Sequence, residues 1–349
     1  VFKLYLLAFL ASLAGAAFLT PASIWLAGKF GVLDQPDPRK VHAFPVPRWG
    51  GIALFGGVML GVLALLWTMP RFAQLLDFRH KLLQGGEVVG LLNLRQQFVG
   101  ILIGATGMLA LGMADDRRPV PALVKLLVQI IAAYAAMVYG VRVSGLALPG
   151  FGYVELPLLA SQAFTLFWML GFMNAVNLVD GLDGLAAGIV AIAAGTFMVV
   201  CAMQGETRVL LFSKQLKLAA VLSAAVFGAC VGFLLYNFHP AKVFMGDGGA
   251  LFLGFMLGAV SVIGTLKTTA VLAVIIPVLV VGLPVLDVAF ALLRRFRRGD
   301  GLMQPDKLHF HHRLLALGWT QKEIVLLMYV ITLLLSVATI VLTAFKGRV

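Results

Sequence analysis

Residues 216–266 read LKLAAVLSAAVFGACVGFLLYNFHPAKVFMGDGGALFLGFMLGAVSVIGTL. Two apolar runs, 216–236 and 249–266, flank a short polar stretch at 237–248, and Lys217 is the one charge within them. A helix needs about 20 apolar residues to cross a bilayer. Neither run alternates in polarity as a barrel strand does, so both read as membrane-spanning helices. Working outward by the same criterion gives ten spans: 4–28, 50–69, 97–114, 120–141, 158–176, 184–203, 216–236, 249–266, 268–293 and 323–345. Residues 4–26 are too long for a signal-peptide core and read as a retained first span. The expected architecture is an all-α polytopic membrane protein, one integral membrane domain over residues 1–349.

Composition agrees. The chain is 61% hydrophobic and 12% charged, with a mean hydropathy of +1.00, whereas soluble domains carry about 25% charge. A soluble enzyme, a disordered chain and a disulfide scaffold are excluded. Cys201 and Cys230 lie inside apolar runs and read as small buried hydrophobes. The net charge of +12 suits anionic lipid or substrate, and no nucleic-acid partner is expected.

Assigning connections to alternate sides separates the charges. Of the 15 acidic residues only Asp77, Glu87, Glu155 and Glu206, and of the six histidines only His80, fall on the side of the N-terminus. Acidic residues at membrane helices are costly and tend to be functional, so the chemistry belongs to the other face. Arg294, Arg295, Arg297 and Arg298 beside a span end place that face in the cytoplasm by the positive-inside rule.

Five constellations lie there. Asp115-Asp116-Arg117-Arg118 ends the third span. Adjacent carboxylates repel unless a cation or proton sits between them. Asn174, Asn177, Asp180 and Asp183, spaced by Gly181 and Gly184, offer hard oxygen ligands suited to Mg²⁺ or Mn²⁺ rather than Zn²⁺. An EF-hand fails on spacing and lacks its closing Glu. Phe244-Met-Gly246-Asp247-Gly-Gly opens the eighth span as a Gly-rich turn suited to phosphate; the bland alternative makes Asp247 a helix cap. Asp306-Lys-Leu-His309-Phe-His311-His312-Arg313 follows the basic run and reads either as a zinc site or as a donor-rich clamp for a pyrophosphate or sugar. The first loop carries Asp34 and Asp37, with Arg39, Lys40, His42 and Arg48 as candidate phosphate donors or headgroup anchors. Together these suit a phosphoryl group with a divalent metal, handled at the interface between one lipid-borne and one water-borne reactant. A divalent-cation transporter is the competing class, and it would place its charges nearer the midplane.

The motifs Ala-Asp115-Asp116, Asn174-x-x-Asn177-x-x-Asp180-Gly-x-Asp183-Gly, Phe244-x-Gly-Asp247 and His309-x-His311-His312 resemble those of the polyprenyl-phosphate N-acetylhexosamine-1-phosphate transferases over residues 29–318. His309 to Leu315, together with Pro47-Arg48-Trp49-Gly50-Gly51, resembles the WecA/TagO-like branch, a branch related to MraY. The resemblance implies transfer of N-acetylglucosamine 1-phosphate from UDP-GlcNAc to undecaprenyl phosphate with release of UMP. That is the first membrane step of envelope polysaccharides such as O-antigen of lipopolysaccharide or teichoic acid. Another UDP-HexNAc or UDP-MurNAc-pentapeptide is the alternative donor. It implies Mg²⁺, with Mn²⁺ as substitute, on Asn177 and Asp247; Phe244, Gly246 and Asp183 on the nucleotide; Asp115, Asp116 and Asp180 as catalytic carboxylates. Lys125, His309, His311, His312, Arg313, Arg294 and Arg295 then hold the sugar pyrophosphate, and Arg39, Lys40 and His42 are candidates for the lipid phosphate. A homodimer in the bacterial inner membrane is implied as well. Pro277 and Pro284 interrupt the ninth span, which the resemblance makes a bent helix beside a lipid groove.

Overall fold

The computed structural model describes residues 2–36, 44–84, 87–148, 152–205, 210–264 and 317–346. The predicted ninth span with its bend lies outside the described residues. So do Arg39, Lys40, His42, Arg294, Arg295, His309, His311, His312 and Arg313. Each of the other nine predicted spans is a helix: α1 (Phe2–Lys29), α2 (Gly50–Thr68), α4 (Leu94–Arg117), α5 (Ala122–Val138), α6 (Leu158–Val179), α7 (Leu185–Gln204), α8 (Leu210–Asn237), α9 (Gly246–Ile263) and α10 (Gln321–Lys346). Among the described residues, eight helices are long and apolar enough to cross a membrane, and α5 is a shorter apolar helix.

Local chemistry sets the ends. Pro121, extended at φ −54° and ψ 138°, starts α5, and Gly140, at φ 89°, turns the chain just after it. This leaves α5 shorter than the 120–141 span expected for it. α6 runs through Gly171 and Asn174 to Val179, three residues beyond the 158–176 span. The Asn174 amide donates to the Leu170 carbonyl at 2.8 Å and to Gln129 Oε1 of α5 at 2.9 Å, so its polarity is satisfied within the bundle. Asn93 caps α4, accepting from the amides of Arg95 and Gln96.

The connections hold structure that hydropathy does not reveal. A short helix, α3 (Pro70–Leu76), and two antiparallel hairpins, β3–β4 (Arg79–Gln84 with Glu87–Asn93) and β5–β6 (Gly145–Leu148 with Gly152–Glu155), occupy segments read as plain loops. The third pair, β1–β2 (Leu33–Asp34 with Val46–Pro47), closes the base of the first loop. At 24 residues, α4 is about 36 Å long. The β3–β4 hairpin at its start and Asp115 near its end therefore lie at opposite ends of the bundle.

The centre of the bundle is α9, buried at every residue but Asp247 and packed by α2, α4, α6, α7 and α8. A helix apolar all round is a core helix. Close packing at its N-terminus depends on glycine pairs. A Cβ on Gly112 would lie 2.2 Å from the Gly248 amide nitrogen, and one on Gly51 2.4 Å from that of Gly249. The backbones of α4, α2 and α9 thus meet with nothing between them. By contrast α1 and α10 are only about a third buried and present apolar side chains outward.

Candidate active site at the tip of α9

The acidic residues of the third, fifth and seventh predicted connections converge where α4 ends, α6 ends and α9 begins. Gly246 takes a left-handed φ of 67°, the turn that aims the start of α9 at the end of α4. No residue of its own segment caps α9 with a side chain. Asp116, at the end of α4, does so instead. Its Oδ1 accepts the Asp247 amide at 3.0 Å and its Oδ2 the Gly248 amide at 3.4 Å. The Asp116 side chain is fully buried, and Arg48 Nε lies 3.3 Å from Oδ1. This carboxylate therefore meets the positive end of the core helix from a neighbouring helix. The bland reading of Asp247 as the cap does not hold; Asp247 is inside the helix and its side chain is released to the site.

Two resident cations bracket Asp247. Lys125 Nζ of α5 lies 3.1 Å from its Oδ2 and also pairs with Asp115 Oδ2. Arg48 Nη2 lies 3.9 Å from its Oδ1, and Arg48 Nη1 reaches Asp34 of β1 at 3.3 Å. The other oxygen of Asp115 accepts the Val120 amide at 2.7 Å. Lys125 is thus in the site, as the sequence suggests. Arg48, which sequence placed among several phosphate donors, is its hub. The position of Arg48, immediately before Trp49-Gly50-Gly51 at the start of α2, was the available signal.

Asp180 and Asp183 sit on the turn from α6 to α7. Burial, with the like charges of Asp116 and Asp247 added, pushes the Asp180 carboxyl up to about 8; Arg48 opposes this and Asp183 reinforces it. Asp183 Oδ2 accepts from His239 Nδ1 at 2.8 Å and the Ala241 amide at 3.1 Å. Tyr329 of α10 donates its hydroxyl to the Gly184 carbonyl at 2.5 Å. Neither His239 nor Tyr329 was singled out from sequence; His239 stood only in a count of histidines on this face. Asn177 is half-buried in the last turn of α6. Phe244 is half-buried, its amide donating to the Pro47 carbonyl at 2.8 Å and its carbonyl accepting from Gly50 at 3.0 Å.

Among the described residues no three His, Cys, Asp or Glu side chains form a ready-made metal cage. The donors are nevertheless all oxygen, and the charges of Asp116 and Asp247 add to burial in raising Asp180, a repulsion that a divalent cation would relieve. The residues fit a hard cation such as Mg²⁺.

Fold and site together define a polytopic membrane protein whose polar chemistry is gathered at one interface. The model of Glycosyl transferase family 4 matches residues 98–265. A probable undecaprenyl-phosphate N-acetylglucosaminyl 1-phosphate transferase of Bacillus subtilis is 36% identical over 342 residues, 96% of this chain and 84% of that protein. A decaprenyl-phosphate N-acetylglucosaminephosphotransferase of Mycolicibacterium smegmatis is 37% identical over 320 residues, 87% of this chain and 73% of that protein. A phospho-N-acetylmuramoyl-pentapeptide-transferase of Bacillus velezensis is 32% identical over 322 residues, 88% of each. The chain belongs to glycosyl transferase family 4, in the branch its motifs resemble.

Proposed function

We propose that the protein transfers N-acetylglucosamine 1-phosphate from UDP-GlcNAc to undecaprenyl phosphate, yielding undecaprenyl-pyrophosphoryl-GlcNAc and UMP. The observation that carries this reading is the convergence of Asp115, Asp116 and Asp247 with Lys125 and Arg48 at one membrane face. Two anionic substrates can meet only where cations neutralise them and carboxylates position the cations. The sugar assignment is supported by the higher identity to the two N-acetylglucosaminyl relatives than to the pentapeptide relative.

In this reading an oxygen of the lipid phosphate attacks the sugar-bearing phosphorus. The bond from that phosphorus to the bridging oxygen breaks, and UMP departs with the bridging oxygen. Lys125 and Arg48 turn from the carboxylates toward the incoming phosphates. Asp116 keeps the α9 tip in place, so that the side chain of Asp247 faces the pyrophosphate. Asn177 and Asp247 would hold Mg²⁺ or Mn²⁺, which when bound supplies charge neutralisation on the pyrophosphate. Phe244 and Asp183 take the uracil, and Asp115 orients the lipid phosphate. Direct attack is favoured over an aspartyl intermediate. Asp116 is fully buried with both oxygens on the α9 tip, and Asp115 is held in place through Oδ1 by the Val120 amide. A phosphate monoester is largely dianionic at neutral pH and needs little base catalysis. The same reading places this face in the cytoplasm of a bacterial inner membrane, in a homodimer.

The test is UMP release from UDP-GlcNAc and undecaprenyl phosphate by the purified protein. Release should require Mg²⁺ or Mn²⁺ and vanish in Asp247→Ala and Lys125→Met. Divalent-cation flux in proteoliposomes without UMP release would replace this reading with transport. Phosphorylation of Asp115 by UDP-GlcNAc alone would overturn direct attack.

A further inference from the structure

We propose that His239 is a positioning residue that sets which nucleobase the site accepts, by fixing the carboxylate of Asp183. The inference deepens the function proposed above and rests on its assignment of Asp183 and Phe244 to the base.

Asp183 belongs to the short turn from α6 to α7, and Phe244 to the loop from α8 to α9. The two segments are far apart in sequence, and the distance between a base-binding carboxylate and a stacking ring has to be fixed by something that joins them. His239 and Ala241 are that link. Both donate to the same oxygen, Asp183 Oδ2, at 2.8 and 3.1 Å. An ionised carboxylate only accepts, so Nδ1 of His239 carries the proton. Two donors on one oxygen fix the plane of the carboxylate and leave Oδ1 as the atom directed to a base.

The loop that supplies these donors is itself held at intervals. The Lys242 amide donates to the Tyr236 carbonyl at 2.8 Å, and Asn237 Nδ2 donates to the Val243 carbonyl at 2.8 Å. Phe244 is held from both sides by Pro47 and Gly50. On the opposite wall, Tyr329 fixes the Gly184 carbonyl, one residue beyond Asp183. The His239–Asp183 bond is thus the side-chain tie between two braced walls. It is also sheltered on one side: the Asp183 side chain is 12% exposed and that of His239 38%.

The chemical consequence is base selectivity. A fixed carboxylate oxygen accepts the N3–H of uracil, whereas cytosine presents a lone pair at N3 and is repelled. A carboxylate free to rotate discriminates less, because it can turn away from the unfavourable lone pair.

The experiment compares UDP and CDP as competitive inhibitors of UMP release, with steady-state constants for UDP-GlcNAc. Wild type should prefer UDP. In His239→Ala the UDP-over-CDP preference should fall about tenfold, and KM for UDP-GlcNAc should rise about tenfold with kcat within about twofold, the scale of one hydrogen bond to a charged group. KM for undecaprenyl phosphate should not move. His239→Asn, whose side-chain amide can place an N–H near the position of Nδ1, should restore the preference. An unchanged UDP-over-CDP ratio in His239→Ala, or a fall in kcat without a change in KM, overturns the inference while leaving the proposed reaction standing. Equal inhibition of wild type by UDP and CDP overturns the base assignment of Asp183 itself, and this inference with it.

Discussion

Asp116→Asn separates an architectural role from a purely chemical one. Asp116 offers the α9 tip two acceptor oxygens, one for the Asp247 amide and one for the Gly248 amide. Asparagine offers one acceptor and places an amide donor where the second stood. One backbone N–H of the core helix is then left facing a donor, at about 1–3 kcal/mol. The attraction between an anion and the helix N-terminus is lost as well, about 0.3–1 kcal/mol or somewhat more in a buried setting. The sum is about 1–4 kcal/mol, which for a chain of this length lowers the unfolding midpoint by roughly 2–6 °C. The chain carries its own reporters for the measurement. Cys201 and Cys230 are buried free thiols, so a thiol-reactive fluorogenic maleimide follows unfolding of the detergent-solubilised protein directly. An Asp116→Asn protein that is inactive yet unfolds at the wild-type temperature would refute the capping argument and leave Asp116 a chemical role alone.

Asp180→Asn should show a stability gain that depends on pH. The Asp180 carboxyl sits at about 8 in the folded protein against about 3.9 in an unfolded chain. Between these values the folded protein holds a proton that the unfolded chain has released, so wild-type stability falls as pH rises from about 4 to about 8. The variant lacks this slope, and its midpoint should exceed wild type at about pH 8.5 with the advantage shrinking toward about pH 5; a difference independent of pH would count against it. Gly112→Ala forces a Cβ to within 2.2 Å of backbone and should cost about 3 kcal/mol or prevent folding. Gly107→Ala on the same helix, with nothing within 4 Å of its Cβ, should be neutral or stabilising by about 0.5–1 kcal/mol, both read as folded yield and midpoint. Tyr329→Phe removes the bond to the Gly184 carbonyl and should lower stability by about 1 kcal/mol, measured by the same thiol assay.

The spans were legible because a bilayer imposes a length and an apolar composition that few other environments demand, and α4, α7 and α9 follow directly from that rule. The hairpin pairing Arg79–Gln84 with Glu87–Asn93 was not, since strands of six and seven residues fall below the length at which hydropathy is informative. The continuation of α6 past Asn174 depended on Gln129 from another helix, a partner no local reading supplies. For the site, the carboxylates announced themselves by standing in apolar surroundings. Their division of labour did not. Asp115 and Asp116 are neighbours in sequence, yet one pairs with Lys125 and the other caps α9, a distinction set by where α5 and α9 pack. His239 was unreadable for the same reason: its significance lies in Asp183, which reaches it only through the meeting of two distant turns.

Among the described residues, Asp247 rides on the helix that five others enclose. Such an axis cannot rotate or slide without displacing five neighbours at once, so it serves as a fixed datum against which the surrounding loops are measured. Accommodation of a new sugar or a different lipid therefore falls to segments with a free side, and a graft of loops around an unchanged α9 is the economical route to an altered donor.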